Sequence, residues 1–431
     1  SHYFPPEIGA PQARLSEMAR YWAEAGDDVT VLTGMPNHPT GVVPAEYRGR
    51  LSCDEQVDGY RVLRSWLYAT PNEGVARKTI GHLSFMVSSL VLAGRRSGPA
   101  DVVMVSSPTF FSIFSAWVLA RTKRAKLVVE VRDLWPAIFV ELGVLKSRPI
   151  IRFLERLELA AYRAADAVVV VSDGFREHIA ARGIPEAKVH TIRNGVDLDR
   201  FTPTTPDDTT TATRARLGAA PGDTLVLYLG AHGISHGLVS VADAAVKLTS
   251  ELIHFAFVGE GAAKQQLREH VERLGVDNVT FLPGVPRDEV PALLAAADIC
   301  LVPLRDVPLF STFIPSKLFE FLAAGKAVVG AVRGEPAAIL KEAGAVVVEP
   351  EDATALAQAI GELAADPARR AEMGRKGRSH VEEHFDRRRL AAQYRELFAS
   401  LDSPPISQAT ERPRSPLPGR SGTPTPQGGR R

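Results

Sequence analysis

The residues best placed to do chemistry stand in Ile314-Pro315-Ser316-Lys317-Leu318-Phe319-Glu320. A lysine and a carboxylate lie three positions apart at the opening of a short segment striped by Leu318, Phe319, Leu322 and Ala323 and stopped by Gly325. Residues three apart share one face of a helix. Pro315 suits a first turn, having no N–H to leave unpaired, and glycine suits the stop. Free N–H groups at such a start, with Ser316 and Lys317, would form a phosphate seat. Glu320, about one turn further in, would then reach the two hydroxyls of a ribose. An amphipathic helix with a surface salt bridge has the same pattern, so this segment alone leaves both readings open.

Other chemistry-bearing residues follow apolar runs. Arg132-Asp133 comes after Lys126–Val131, and the carboxyl ends of buried strands are where open α/β sheets bind their ligands. Asp133 as a helix cap is the alternative. Gly9 lies in the opening loop, and Asn194 begins the turn Asn194-Gly195-Val196-Asp197. Thr224–Leu229 runs into Gly230-Ala231-His232-Gly233-Ile234-Ser235-His236-Gly237, and His254–Val258 runs into Gly259. Glycines at such places let backbone approach a diphosphate, although many turns look alike.

Residues of these kinds must be presented by two sheets. Apolar strands alternate with helical stretches along the chain, which predicts mostly parallel sheets, and 431 residues exceed a single core. The expected division is an N-terminal domain over 1–201, a linker rich in Thr, Pro and Asp over 202–223, a second domain over 224–385, a helix over 386–401 packing back toward the N-terminal domain, and a disordered tail over 402–431. The opening loop enters a helix with no strand before it, so a first strand is expected to precede Ser1. The net charge of +1 supplies no bulk field toward nucleic acid. Cys53 and Cys300 fit no metal spacing and no disulfide framework. No segment is long and apolar enough to span a bilayer. The apolar run Leu83–Leu92, flanked by Arg77, Lys78, Arg95 and Arg96, suits either a helix lying on a membrane or a core-facing helix.

Taken together, Phe4-Pro5-Pro6-Glu7-Ile8-Gly9, Val131-Arg132-Asp133-Leu134-Trp135-Pro136, Asn194-Gly195-Val196-Asp197, Gly259-Glu260-Gly261 and Pro315-Ser316-Lys317-Leu318-Phe319-Glu320 resemble the family 4 retaining glycosyltransferases, over about residues 1 to 401. The likeness is strongest to the bacterial branch that builds O-antigen, capsule and exopolysaccharide, which includes fucosyl and N-acetylfucosaminyl transferases. It implies the GT-B fold, two doubly wound Rossmann-like domains facing across a cleft. It also implies transfer of a sugar from a nucleoside diphosphate donor with retention, without metal or cofactor, to a lipid-linked sugar or glycan. Contact with the inner membrane surface is expected, and no nucleic acid partner. Glu320 matches the second glutamate of the family's pair, the ribose binder. The first glutamate's place falls at Thr312, so donor-sugar contacts would rest on Thr312 and its neighbours Ser311, Phe313 and Ile314. Ala231 and His236 stand where the family's diphosphate-clamping arginine and lysine would be, and Lys317 is the replacement charge. Arg132 and Asp133 stand near the acceptor. A nucleotide-sugar 2-epimerase of the same fold and a non-catalytic nucleotide-sugar binding protein are the rival readings.

Overall fold

The structure, a computed structural model, describes residues 1–402 apart from 8, 39, 71–74, 108–109, 205–206 and 250–251. The tail expected to be disordered lies, from residue 403 on, outside the described residues.

The N-terminal half opens with α1 (Ala10–Glu24) and β1 (Thr30–Gly34), followed by the hairpin β2 (Ser52–Val57) and β3 (Tyr60–Ser65). The strand β2 was not legible, because Ser-Cys-Asp-Glu-Gln-Val lacks an apolar face; it pairs antiparallel with β3 at the outer edge of a three-stranded sheet. Then come α2 (Val75–Ser88), extended by a π-helical turn over Ser89–Ala93, β4 (Val102–Ser106), α3 (Phe110–Lys123), β5 (Lys126–Val131), α4 (Ala137–Glu141), α5 (Arg148–Ala164), β6 (Ala167–Val170), α6 (Asp173–Ala181) and β7 (Val189–Thr191). Strands β4, β5, β6 and β7 form a separate parallel sheet. Among the described residues no strand joins the two sheets. Ser1 and His2 lie along the open edge of β1, where the Ser1 ammonium donates to the Leu32 carbonyl at 3.0 Å and the Gly34 N–H donates to the His2 carbonyl at 3.3 Å.

The segment 202–223, read above as a linker, instead holds α7 (Asp208–Arg216). Asp207 and Thr210 close a capping box at its start. Phe201, Leu217 and Ala219, which flank it, belong to the core of the C-terminal half. The sparse apolar content misled because the helix is anchored at its ends, with Arg214 donating to the Ala296 carbonyl and pairing with Asp298 at 2.8 Å.

The C-terminal half runs β8 (Thr224–Leu229), α8 (Leu238–Val246), β9 (Ile253–Val258), α9 (Lys264–Leu274), β10 (Val279–Leu282), α10 (Val290–Ala296), β11 (Ile299–Pro303), α11 (Lys317–Ala323), β12 (Ala327–Ala331), α12 (Glu335–Glu342), β13 (Val346–Val348), α13 (Ala353–Ala365) and α14 (Pro367–His384). Its six strands are all parallel in the order β10-β9-β8-β11-β12-β13. Alternate residues of β8 serve opposite faces: Leu225 and Leu227 join one core, Val226 and Tyr228 the other. Each such burial is worth about 1.5–3 kcal/mol. The order reverses between β8 and β11, and the crevice beyond their carboxyl ends is the place where a doubly wound sheet takes its ligand. The last helix, α15 (Arg387–Asp402), crosses back, and its Leu390, Ala391, Tyr394 and Leu397 pack with Met18, Tyr21, Val128 and Val169 of the N-terminal half. The two α/β halves thus have the layout of two Rossmann-like domains.

Candidate active site

Two glycines fix the backbone at the switch point. Gly230 ends β8 with φ 134° and Gly259 follows β9 with φ 148°, a region side chains rarely adopt. A Cβ on Gly259 would collide with the Gly230 carbonyl. Beneath this contact lies Lys317, carried on the first turn of α11. Its Nζ sits 3.9 Å from the centre of the Tyr228 ring, and a Cβ on Gly230 would come within 2.9 Å of it. The ammonium is buried and has no hydrogen-bond partner among the described residues. Burial pulls its pKa down to about 7, with Glu320 opposing. The ring faces a cation favourably, but a desolvated ammonium with no acceptor is an arrangement prepared for an anion.

Two histidines border the same place. His232 is fully buried with both ring nitrogens unpartnered, and His236 has an unpartnered Nδ1. Burial, then Lys264 and Lys317, brings His232 down to about 4. Burial and Lys317 bring His236 down to about 3, against a hydrogen bond to the Pro303 backbone. Both rings are neutral at pH 7; the one N–H of His236 is already given to the Pro303 backbone, so of the two only His232 keeps a free N–H to donate. The Arg305 N–H donates to the Ser235 carbonyl at 2.9 Å, stitching the loops beyond β8 and β11 together. Gly233 adopts ordinary backbone, and a Cβ there would make only ordinary contacts with Ser235 and His236, so no close approach requires a glycine.

Glu320 is 8 % exposed and its Oε1 accepts from Arg287 Nη1 at 2.6 Å. Arg287 lies 3.6 Å from Glu17 of α1, and Glu17 also pairs with Arg387, which donates to the Gly195 carbonyl. Among the described residues Lys317 and Glu320 make no ion pair with each other. The lysine is turned under the glycine loops, and the carboxylate is engaged in a chain of charges running into the N-terminal half. The expected phosphate seat on the helix start is also altered: the N–H groups of Leu318 and Phe319 already donate to the Pro315 and Ser316 carbonyls, and Ser316 caps nothing with its side chain. The structure puts the positive charge at Lys317 Nζ.

Other expected donor contacts are taken up by packing between the halves. Thr312 Oγ1 donates to the Leu309 carbonyl, and its methyl fills the space beside Gly174 of α6, where a Cβ would collide with it. Phe313 packs against the cores of both halves, and the Ile314 side chain is itself core, leaving only its backbone to a ligand. Glu335, at the start of α12, accepts from the Asp173 and Gly174 N–H groups at 3.0 and 2.7 Å, capping α6 across the boundary.

On the facing side, Arg132 and Asp133 lie just past β5. Burial and Arg14 draw the Arg132 guanidinium down to about 10, which leaves it charged at pH 7; its Nη1 is buried and unpartnered, and its N–H donates to Ser107 Oγ at 3.2 Å. Burial raises the Asp133 carboxyl above its usual range, with Arg132 opposing. Asn194 is buried with a free Oδ1. Gly9 caps α1 in extended backbone, where a Cβ would strike Gln12.

Residues 9–195 match the family described as Glycosyl transferase 4-like domain, and residues 209–380 match Glycosyl transferases group 1. WcaI of Escherichia coli K12, named for colanic acid biosynthesis, is 29% identical over 83% of this chain and 89% of its own length. WbjE of Pseudomonas aeruginosa, a glycosyltransferase by name, is 26% identical over 65% of this chain and 70% of its own. A GDP-mannose-dependent phosphatidylinositol monomannoside mannosyltransferase of Mycolicibacterium smegmatis is 31% identical over 54% of this chain and 62% of its own. Among solved structures, Anabaena HepE in complex with UDP and glucose has a TM-score of 0.69 at 18% identity, covering 93% of this chain and 98% of its own. Sucrose-phosphate synthase from Thermosynechococcus elongatus has the same TM-score at 21% identity, covering 91% and 94%. These likenesses in fold match the two-domain layout, and the two family matches, taking one half each, cover most of the chain. It belongs to the family 4-type glycosyltransferases of GT-B architecture, with relatives in exopolysaccharide biosynthesis.

Proposed function

We propose that the protein moves a sugar from a UDP-linked donor to a lipid-linked or glycan acceptor, with retained anomeric configuration and no metal, in the assembly of a cell-surface polysaccharide. The observation that carries this is the buried, unpartnered Lys317 ammonium beneath the Gly230 and Gly259 loops at the switch point of the parallel sheet. In this reading residues 224–385 hold the donor and residues 1–201 the acceptor. The diphosphate lies against Lys317 with His232 donating. Glu320 exchanges Arg287 for the ribose hydroxyls. The backbone of Thr312, Phe313 and Ile314 flanks the sugar.

The acceptor hydroxyl approaches the anomeric carbon on the face that the diphosphate leaves. The bond from carbon to the acceptor oxygen forms as the bond to the β-phosphate oxygen breaks, and the departing phosphate takes the hydroxyl proton. The protein supplies charge stabilisation and alignment. Asp133, Arg132, Asn194 and Gly9 line the acceptor side, with Asp133 orienting the hydroxyl.

The deciding experiment is a transfer assay with Lys317→Ala and Glu320→Ala. Loss of donor affinity in both is expected, whereas normal affinity and turnover in both would sink the assignment. Turnover should persist in EDTA, and the product should show the donor's anomeric configuration by proton NMR. The HepE complex favours UDP, the mycobacterial relative favours GDP-mannose, and a thermal-shift screen of both donor classes separates them. Among the described residues no helix is long and apolar enough to cross a membrane. One stripe of α2 (Ile80, Leu83, Val87) with Val91 just beyond it is exposed, and Arg77, Arg95 and Arg96 lie at its ends. We propose that this stripe rests on the cytoplasmic face of an anionic membrane. Liposome flotation should capture the protein on anionic vesicles and not on neutral ones.

A further inference from the structure

Among the described residues nothing matches the positive charge of Arg132, just past β5. Its Nη1 is buried without a hydrogen-bond partner, and the side chain makes no ion pair. The residue as a whole keeps part of its surface open to solvent. The arginines around it are differently placed. Arg14 pairs with Glu130, Arg387 with Glu17, and Arg287 with Glu320 at 2.6 Å. Glu130 is fully buried, and its Oε1 is already held by Arg14 and by the Tyr394 hydroxyl. Its other oxygen has no hydrogen-bond partner, so it does not reach Arg132 either. Glu130 and Asp133 therefore attract Arg132 only at a distance, while Arg14 and Arg387 repel it. A guanidinium keeps its charge at any working pH, and a desolvated charge without a mate is costly.

The place and the size of this charge select the ligand. Arg387 lies within electrostatic reach of both Arg132 and Glu320, so Arg132 and the donor-side carboxylate border one crevice. The donor's diphosphate has its own buried cation in Lys317. What Arg132 lacks is a second, separate anion. A planar guanidinium meets a carboxylate edge to edge through two parallel hydrogen bonds. A phosphate ester would set about two negative charges beside Glu130 and Asp133, whereas a carboxylate supplies the single charge that is missing. The Asp133 carboxyl, raised above its usual range by burial, suits a sugar hydroxyl beside it. We propose that Arg132 is a specificity-determining residue that binds the carboxylate of a uronic acid in the acceptor glycan, with Asp133 on an adjacent hydroxyl.

This inference rests on the glycosyltransferase reading and deepens it by naming the chemistry of the acceptor. The test takes the full chain saturated with UDP, which keeps the donor seat filled, and titrates it by NMR with methyl glucuronide, methyl glucoside and glucose 6-phosphate. The glucuronide is expected to bind at least about tenfold more tightly than either of the others. Arg132→Gln should remove that preference, and Arg132→Lys should keep only part of it, because an ammonium lacks the planar fork. A merely structural arginine would show itself on heating. Arg132→Gln is instead expected to leave the melting temperature of the free protein unchanged or raised, since it removes an unmatched charge, and to keep UDP affinity.

Equal binding of glucuronide and glucoside, tighter binding of the phosphate ester, or a lowered melting temperature in Arg132→Gln overturns the proposal. A preference for UDP-glucuronate over UDP-glucose that Arg132→Gln abolishes would put the carboxylate on the donor and overturn it as well. The glycosyltransferase reading fails separately, if the wild-type protein neither binds nor turns over any donor.

Discussion

In the proposed reading donor binding turns on Lys317, and burial, which draws its pKa down to about 7, gives it a measurable signature. At pH 8 the free site is mostly neutral lysine. A diphosphate placed against Nζ favours the ammonium and raises its pKa, so binding takes up a proton. UDP affinity should therefore fall as pH rises above 7, by up to about tenfold per unit until the pKa of the complex is reached. His232 and His236, already neutral throughout this window, contribute nothing to the slope. Calorimetry at pH 8 in buffers of different ionisation enthalpy should report uptake approaching one proton, and Lys317→Met should abolish both the uptake and the slope. The motif around Glu320 was legible, but the partner of its carboxylate was not. Arg287 sits in Pro286-Arg287-Asp288-Glu289, which reads as a solvated turn, and only the fold brings it to within 2.6 Å of the carboxylate. Glu320→Ala should cost about 2 kcal/mol of stability by stranding Arg287, measured by urea denaturation. Arg287→Ala in the same background should recover part of that loss.

At the scale of elements, the two glycine loops are the most constrained feature of the donor side. Gly259→Ala meets both a positive φ and the Gly230 carbonyl, so it should destabilise the protein by at least about 1–3 kcal/mol. It should also weaken UDP, since the loop must shift; chemical denaturation and a UDP titration check the two effects separately. Strands of this half were legible as short, mostly apolar runs, such as Leu225–Leu229 before Gly230 and Phe255–Val258 before Gly259. β2 and α7 were missed for one reason: both are polar pieces whose stability comes from a neighbour. β2 borrows β3 as its pairing partner, and α7 relies on Arg214 and the apolar residues just outside its ends. The half-exposed state of α2 was equally hidden, because a stripe in the sequence does not say what it faces.

For the whole molecule, the halves meet through contacts that no single motif announces: Glu335 on the start of α6, Thr312 against Gly174, and the chain Glu320–Arg287–Glu17–Arg387. A donor ribose competing for Glu320 would release Arg287 from one of its two carboxylates, so donor occupancy and the docking of the halves are coupled. Glu335→Ala combined with Arg287→Ala should loosen the pair. Small-angle scattering should then show a larger radius of gyration without donor and a return toward the wild-type value with it. An unchanged profile would mean that apolar contacts such as Phe313 hold the halves alone.

The returning helix α15 carries a further consequence. Its Tyr394 hydroxyl donates to Glu130 at 2.5 Å and accepts from Arg14 at 2.9 Å, while the Ala391 carbonyl accepts from the Trp22 indole at 3.0 Å. The last described turns thus finish the interior of the chain's first part, so a fragment ending near residue 200 would leave an arginine–glutamate pair open to water. Supplied in trans, a peptide of residues 387–402 should rescue such a fragment, making the enzyme divisible into complementing pieces at a point that its order along the chain conceals.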